Sequence, residues 1–184
     1  MNIIQNTTSL ASWIWQAYVK EDMVSVDATC GNGHDTLWLA QKSKKVYAFD
    51  IQPEALKITE ELLKNNGMNN CNLILDSHAN IDRYVKEHCQ LIVFNLGYLP
   101  GADKQNVTNH IDTLTAVKKS IEKLDVGGLL SIMMYQGHTE GRQEKECLLS
   151  FAKELDKSKY HCIYTNMLNQ PNNPPELLLI TRKK

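Results

Sequence analysis

The sequence lacks the features that mark several classes of protein. Its 184 residues include only 5 prolines and 9 glycines, which excludes collagen-like, low-complexity and disordered chains. No apolar run approaches the roughly 20 residues of a membrane-spanning helix, and residues 1–9 lack the pattern of a signal peptide. We therefore expect one domain of residues 1–184, cytoplasmic and without a membrane partner, in which residues 1–22 supply an N-terminal helix that packs on the rest.

The cysteine content and the charge of the chain also exclude several kinds of site and surface. The 5 cysteines include no C-x-x-C pair and have no histidine at zinc-finger spacing, so no metal site is predicted. Their odd number and wide spacing argue against a disulfide framework and favour a reducing compartment. The 20 basic and 21 acidic residues give a formal net charge of -1. This excludes binding of nucleic acid through a broad basic surface, but it allows a local basic patch beside a cleft.

Short β-rich runs alternate with helical patterns along the chain. Strands are predicted at 24–28, 45–50, 71–75, 91–94, 129–135, 160–168 and 176–182, and helices at 8–20, 35–41, 53–67, 79–87, 107–124 and 144–156. Gly127 and Gly128 are expected to end the long helix before the fifth strand. This order predicts an α/β doubly wound sheet with right-handed crossovers.

The last two strands are joined by residues 169–175 alone, which is too short for a crossover helix, so they should be antiparallel. Seven strands with the last antiparallel are the arrangement of Rossmann-like class I methyltransferases. In such a sheet the ligand lies at the carboxyl ends of the strands.

A glycine-containing loop from Asp27 to Gly33 ends the first strand and opens the next helix. Gly31 and Gly33 would allow a tight turn and a close approach of the backbone to a ligand. The loop resembles the methyltransferase pattern acid-x-Gly-x-Gly-x-Gly, with Thr29 in place of the first glycine. A nicotinamide dinucleotide is the weaker alternative, because Thr36 stands where the third glycine of its motif would fall.

Acidic residues also end the second and third strands. Asp50 lies close to the interval of about 20 residues at which dinucleotide folds place a carboxylate on the ribose hydroxyls. Asp76 stands where methyltransferases commonly place an acid or amide against the adenine amino group. His78, two residues later, is expected to be a structural hydrogen-bonding residue rather than a base.

The string Asn95-Leu96-Gly97-Tyr98 ends the most apolar strand. Methyltransferases that modify exocyclic amines carry Asp/Asn-Pro-Pro-Tyr here, with the amide or acid orienting the amine and the aromatic ring stacking on the base. Asn95 and Tyr98 keep the ends of that string, whereas Leu96 and Gly97 replace both prolines. The pattern therefore favours amine binding by Asn95 over base stacking by Tyr98, whose alternative is a rim aromatic packing on the following loop.

The fifth strand ends in a second glycine-containing string, Tyr135 to Gly141. His138 in this string titrates near neutral pH and could accept a proton, or it could fix the loop through a hydrogen bond. Asp103 and Lys104, in the loop after the fourth strand, are candidates for contact with a substrate or a phosphate.

Taken together, these strings resemble a family of small bacterial methyltransferases that carry the name rRNA methylase. The resemblance runs nearly end to end, and it is carried by residues 26–36, 94–101, 137–141 and 173–175. In one departure, Gln136 and Thr139 stand where the family's Tyr-Pro-Gly-His-Pro string has prolines.

The resemblance implies S-adenosylmethionine as cofactor. Family members are similar to an enzyme that methylates the amine of 5-aminomethyl-2-thiouridine at the tRNA wobble position, which implies the tRNA anticodon arm, and not rRNA, as the partner. A small-molecule amine methyltransferase, an rRNA methyltransferase and a non-catalytic cofactor-binding regulator stay open as alternatives. A homodimer would offer a tRNA arm more surface than one subunit does.

Three sets of site residues follow. The predicted catalytic residues are Asn95, Tyr98 and His138, and the predicted substrate contacts are Tyr98, Asp103, Lys104, Tyr135 and His138. The predicted cofactor contacts are Asp27, Ala28, Thr29, Gly31, Asn32, Gly33, Asp35, Thr36, Asp50, Ile51, Gln52, Asp76, Ser77, His78 and Asn95.

Overall fold

The computed structural model of the protein describes residues 4–97, 110–137 and 139–184. Its strands are β1 Val24–Asp27, β2 Lys45–Asp50, β3 Cys71–Leu75, β4 Cys89–Leu96, β5 Leu124–Met134, β6 Tyr160–Thr165 and β7 Glu176–Arg182. Its helices are α1 Thr7–Trp15, α2 His34–Ala40, α3 Pro53–Asn65, α4 Ile81–Tyr84, α5 His110–Lys123 and α6 Thr139–Glu154, with a 3-10 turn at His78–Asn80.

The strands form one seven-stranded sheet in the order β3-β2-β1-β4-β5-β7-β6. The pairings among β1 to β5 are parallel, and β7 runs antiparallel to both β5 and β6. This confirms the predicted doubly wound Rossmann-like methyltransferase sheet with its antiparallel closing pair.

Side chains of the central strand β4 alternate between two hydrophobic cores. Ile92 and Phe94 belong to the core that contains Val117 of α5 and Leu148 of α6. Leu91 and Val93 belong to the opposite core, with residues of α1 and α2. Because successive side chains of a strand point to opposite faces, a strand covered by helices on both sides must be apolar throughout. The apolar run of β4 is therefore explained by its central place in the sheet.

The N-terminal helix is shorter than predicted. It covers Thr7–Trp15, and not residues 8–20 or the whole of 1–22. The amides of Ala17 and Tyr18 bond to carbonyls three residues earlier, which tightens the chain into a turn. Apolar side chains beyond Trp15 still pack against the core, so their spacing alone did not reveal the end of the helix.

Gly127 and Gly128 lie inside β5, so the prediction that they end the preceding helix is wrong. The register between β4 and β5 shifts here, and Gly127 has a φ of 80°. A Cβ atom on Gly128 would lie 3.0 Å from the carbonyl oxygen of Cys89. The two glycines thus permit an irregularity in the pairing of neighbouring strands.

The end of the hairpin formed by β6 and β7 lies at the carboxyl edge of the parallel strands, because Met134 pairs with Glu176. The N-terminus of α1 is tied to the same edge by Thr7, whose hydroxyl donates to the carbonyl of Pro175 at 2.6 Å. The loops after β1, β2, β3 and β5, the connection at 166–175 and the start of α1 therefore meet around one edge.

Within the described ranges, no helix combines the length and apolar character that a bilayer crossing requires.

Candidate functional site

The loop after β1 is organised from beneath by Asp27. Its carboxyl group accepts hydrogen bonds from the backbone amide of Thr29 at 3.1 Å and the hydroxyl of Thr36 at 2.6 Å. Burial, and then the nearby charge of Asp35, raise the pKa of Asp27 to about 7.

Asp27 is 0% exposed, and Ala28 and Thr36 are also buried. These three residues therefore shape the loop from inside, and their predicted contact with the cofactor stays a prediction.

The two glycines of the loop have different tasks. Gly31 has a φ of 50°, and a Cβ atom there would meet only the carbonyl oxygen of Thr29, at 4.0 Å. Gly33 has a φ of 79°, and its Cβ atom would lie 2.7 Å from the hydroxyl oxygen of Thr59 on α3. Gly33 thus allows α2 and α3 to pack closely, while Gly31 borders open space. The predicted contact of both glycines with a ligand stays a prediction.

Asp50, at the end of β2, faces this loop. Its Oδ2 accepts the backbone amide of Gly31 at 2.9 Å, and its Oδ1 accepts that of Gln52 at 2.9 Å. A carboxylate has about four lone-pair positions, and the thiol of Cys30 makes only a long contact of 4.0 Å to Oδ2, so hydroxyl donors can still be accommodated. Ile51 is 42% exposed beside it and provides an apolar surface, and Asn32 is exposed in the neighbouring loop.

Asp76, at the end of β3, is already bound by its own segment. Its carboxylate accepts hydrogen bonds from the backbone of Ser77 at 2.7 Å, the amide of Asn80 at 2.9 Å and the hydroxyl of Tyr84 at 2.8 Å. Partial burial raises the pKa of Asp76, but the hydrogen bonds from Asn80 and Tyr84 outweigh it and lower the pKa overall. Asp76 is thus held as an ionised acceptor.

His78 is buried beneath the β1 loop. Its Nδ1 lies 3.0 Å from the carbonyl oxygen of Ala28, and its ring meets Phe94 edge-on at 5.4 Å. Burial lowers the pKa of His78 and keeps the ring neutral. This geometry matches the structural interpretation that the sequence favoured for it.

Asn95, at the end of β4, is held by backbone and side chain. Its backbone amide donates to the hydroxyl oxygen of Thr29 at 2.7 Å, and its Nδ2 donates to Oδ2 of Asp35 at 3.4 Å. Burial raises the pKa of Asp35, and the hydrogen bond from Asn95 opposes this shift. The fourth strand is thereby connected to the glycine loop and to α2.

Tyr135, just after β5, lies beside this group. A Cβ atom on Gly97 would lie 3.2 Å from its ring, and its hydroxyl is 3.5 Å from the sulfur of Met133. The hydroxyl of Thr8 on α1 reaches the same sulfur at 3.8 Å. Burial, and then the charge of Asp35, raise the pKa of Tyr135, so the phenol is neutral at physiological pH.

Four predicted site residues lie outside the described residues: Tyr98, Asp103, Lys104 and His138. Their roles stay predictions.

The sequence did not predict an ion pair that stabilises the loop after β5. Lys145 of α6 lies 2.6 Å from a carboxylate oxygen of Glu176 and donates to the side-chain oxygen of Gln136 at 3.1 Å. Glu176 is 6% exposed, and a buried carboxylate needs a partner. An acid at the start of the apolar run 176–182 was the signal that could have revealed this ion pair.

Across the parts of the chain that the structure describes, no group of three or more His, Cys, Asp or Glu side chains is arranged to hold a metal ion.

Residues 46–181 match the model of the family described as "Putative rRNA methylase". The chain belongs to this family. A relative from Arabidopsis thaliana, the chloroplastic tRNA (mnm(5)s(2)U34)-methyltransferase, is 33% identical over 97% of this chain and 70% of its own length.

Solved structures of the rRNA methylase family are similar over nearly the whole chain. One, from Streptococcus mutans, is described as a "putative methyltransferase" in complex with SAH; it is 42% identical with a TM-score of 0.91, over 97% of this chain and 99% of that one. Another, a "putative rRNA-methylase" from Clostridium thermocellum, is 36% identical with a TM-score of 0.93, over 97% and 98% of the two chains. The protein is an S-adenosylmethionine-dependent methyltransferase, which confirms the predicted family, enzyme class and cofactor.

The donor set at the carboxyl edge fits this cofactor. Asp50 retains acceptor capacity for ribose hydroxyls, Ile51 offers an apolar surface for a base, and Gly31 leaves the loop open where a side chain would stand. The chemistry of these groups therefore suits an adenosyl ligand.

Proposed function

We propose that this methyltransferase acts on RNA and methylates the amine of wobble 5-aminomethyl-2-thiouridine in tRNA, giving 5-methylaminomethyl-2-thiouridine. Support for the substrate comes from the Arabidopsis relative, whose name specifies mnm(5)s(2)U34 in tRNA and which is similar over 97% of the chain. The anticodon loop presents unstacked bases, so a compact domain can receive one of them in a pocket.

The observation that carries the proposal is the placement of Asn95. An amide stands at the carboxyl end of the central strand, fixed through its backbone to Thr29 and bonded through its side chain to Asp35. A side-chain oxygen at this point can accept a hydrogen bond from an N–H group of an amine and so direct the amine's lone pair. Hydroxyl or carbon acceptors would instead call for a nearby base to remove a proton before or during transfer.

In this proposal, the cofactor is held by the β1 loop at Thr29, Gly31 and Asn32 and by the segments after β2 and β3. Those segments contribute Asp50, Ile51, Gln52, Asp76 and Ser77. When bound, S-adenosylmethionine supplies a methyl group on a positively charged sulfur. Asp50 would bind the ribose hydroxyls, and Ile51 would pack against the base.

The protein's own part in the reaction is mainly positioning. A neutral primary amine is already a strong nucleophile, so holding it in line contributes most of the rate enhancement. Asn95 orients the amine, while the ring of Tyr135 and the backbone at Gly97 wall the pocket and exclude water. We also propose that Tyr98 contacts the substrate and that His138 or water accepts the proton that the methylated ammonium releases.

On the substrate side, we propose that Asp103 and Lys104 contact the anticodon arm close to the modified nucleotide. The formal net charge of -1 means that such contacts are local and not spread over a basic surface.

A second candidate substrate is rRNA, because the matched family is described as an rRNA methylase. A small-molecule amine is a third, favoured by the nearly balanced charge. These candidates differ in the molecule that would receive the methyl group.

The test offers three acceptors to the protein with methyl-labelled S-adenosylmethionine: tRNA containing 5-aminomethyl-2-thiouridine, ribosomal subunits, and a simple primary alkylamine. We expect label in the tRNA alone, with binding that weakens as salt rises. Asn95→Ala is the matched control and should abolish most of the transfer while leaving cofactor binding intact. Label in the ribosomal subunits or in the free amine, but not in the tRNA, would contradict the proposal.

A further inference from the structure

The side-chain amide of Asn95 has a carboxylate as its neighbour, since Nδ2 lies 3.4 Å from Oδ2 of Asp35. We infer that Asp35 is a positioning residue that fixes which end of the Asn95 amide faces the reacting amine. This inference rests on the proposed function, in which Asn95 binds the amine, and it replaces the expected cofactor contact of Asp35 with a contact to Asn95.

The orientation follows from what a carboxylate can bind. Ionised Asp35 has only acceptor atoms, so the NH₂ group of Asn95 must face it. The reverse orientation would bring two acceptor oxygens together at the same 3.4 Å separation. The choice between oxygen and nitrogen is thus set by the chemistry of the neighbour.

The contact with Asp35 restricts the conformation of the Asn95 side chain. Its backbone amide is bound to the hydroxyl of Thr29 at 2.7 Å, so the end of β4 is fixed. With Nδ2 turned toward Asp35, the Oδ1 atom is the side-chain acceptor that is left to bind an N–H group of a ligand. The charge of Asp35 also raises the pKa of the Tyr135 phenol, so the carboxylate and the phenol act on each other.

This arrangement defines the chemical class of the acceptor. The fixed Oδ1 atom of Asn95 requires a hydrogen-bond donor. The nitrogen that receives the methyl group must therefore carry at least one N–H bond while its lone pair points toward the methyl group. Primary and secondary amines meet this condition, whereas tertiary amines do not.

The first test compares Asp35→Asn with Asp35→Ala. Asparagine keeps an oxygen that can accept from Asn95, whereas alanine removes it. We expect kcat on the tRNA to fall by about 10- to 100-fold in Asp35→Ala, which loses the hydrogen bond. It should fall by less than about 3-fold in Asp35→Asn, in which a neutral hydrogen bond replaces the charge-assisted one. Affinity for SAH, measured by calorimetry, should change by less than about 3-fold in both.

Two controls isolate the contact. Glu54→Ala removes another acidic residue from the first turn of a helix and should leave kcat unchanged. In an Asn95→Ala background, Asp35→Ala should reduce kcat no further, because its effect acts through Asn95. Equal losses in Asp35→Asn and Asp35→Ala, or a weakened SAH affinity with kcat intact, would overturn the inference.

A second measurement does not need the RNA. In the side-chain amide NMR spectrum of the SAH-bound protein, the Asn95 signal is assigned by its absence from Asn95→Ala. We expect Asp35→Ala to shift this signal strongly and Asp35→Asn to shift it less. If the wild type fails to methylate the tRNA, the proposed function fails, yet the spectrum still decides the pairing; an unmoved signal in Asp35→Ala refutes it.

Discussion

At the scale of single residues, the buried carboxyl group of Asp27 couples the cofactor loop to pH. Burial raises its pKa to about 7 in the folded protein, whereas an Asp in an unfolded chain titrates near pH 4. Between these values the folded state binds more protons than the unfolded state. The contribution of Asp27 to the free energy of unfolding is therefore fully present below about pH 4 and is lost as pH rises through about 7.

This gives a prediction for Asp27→Asn, which does not titrate. Relative to the variant, the wild type should lose stability between about pH 4 and about pH 7, by at most about 1.4 kcal/mol per pH unit. Denaturant unfolding of both proteins across this range measures the difference, and groups such as His78 cancel because both proteins contain them. Parallel stability curves would show that Asp27 does not carry a raised pKa.

Asp50 provides the residue-scale test of cofactor binding. Asp50→Asn removes the charge that we propose accepts the ribose hydroxyls, so SAH affinity should fall about 10- to 100-fold. Calorimetric titration measures the affinity, and Asp125→Asn, an exposed acid in β5, is the matched control that should bind normally. Normal binding by Asp50→Asn would remove Asp50 from the proposed cofactor site.

Spacing alone located Asp50 and Asn95 well, because residues at the carboxyl ends of parallel strands are brought to one edge. The same spacing could not show that Asp27 lies beneath the loop, or that Asp35 contacts Asn95. Those facts depend on contacts between separate segments, and a sequence pattern reports only the order of residues along one segment.

At the scale of elements, the close packing of α2 on α3 depends on Gly33. A Cβ atom there would also lie 3.0 Å from the Cα atom of Thr59, so rotation of the threonine side chain cannot relieve the contact. Gly67 has a similar φ of 69°, but a Cβ atom on it would meet nothing within 4 Å. A comparison of alanine substitutions at the two glycines therefore separates the cost of backbone strain from the cost of a steric clash.

We predict that Gly67→Ala lowers the free energy of unfolding by about 1 kcal/mol, the cost of a left-handed backbone for alanine. Gly33→Ala should cost about 1 to 3 kcal/mol more, because packing is also disturbed. Denaturant unfolding measures both values. Equal losses in the two variants would mean that α2 and α3 adjust without cost.

The connection at 166–175 is an element whose role the strand register suggests. It emerges beside Tyr135 at the carboxyl edge, and Leu168 within it is 93% exposed. We predict that Leu168→Ser raises KM for the tRNA by about 3- to 10-fold, as for loss of one apolar contact with a base, while SAH affinity and the unfolding midpoint stay unchanged. An unaltered KM would exclude this residue from the RNA contact.

Element boundaries were predictable where local patterns are complete. The strands at 45–50, 71–75 and 176–182 have the predicted bounds, because polar or turn residues flank each apolar run. Helix α6 begins at Thr139, earlier than the predicted 144, because its first turn is polar and carries no apolar periodicity. The strand character of Gly127 and Gly128 depends on pairing with β4, which no local pattern encodes.

At the scale of the whole molecule, the residues that stabilise the fold and the candidate site residues lie in different parts of the sheet. Hydrophobic cores on both faces of the sheet hold the strands, while polar groups gather at the carboxyl edge. A formal net charge of -1 is compatible with an RNA enzyme if recognition is confined to that edge.

Mass spectrometry of nucleosides tests the central claim most directly. tRNA that contains 5-aminomethyl-2-thiouridine is incubated with the protein and S-adenosylmethionine, digested and compared with a sample treated with Asn95→Ala. Our account predicts the gain of one methyl group on that nucleoside with the wild type and almost none with the variant. An unchanged nucleoside, from a protein that binds the cofactor, would contradict it.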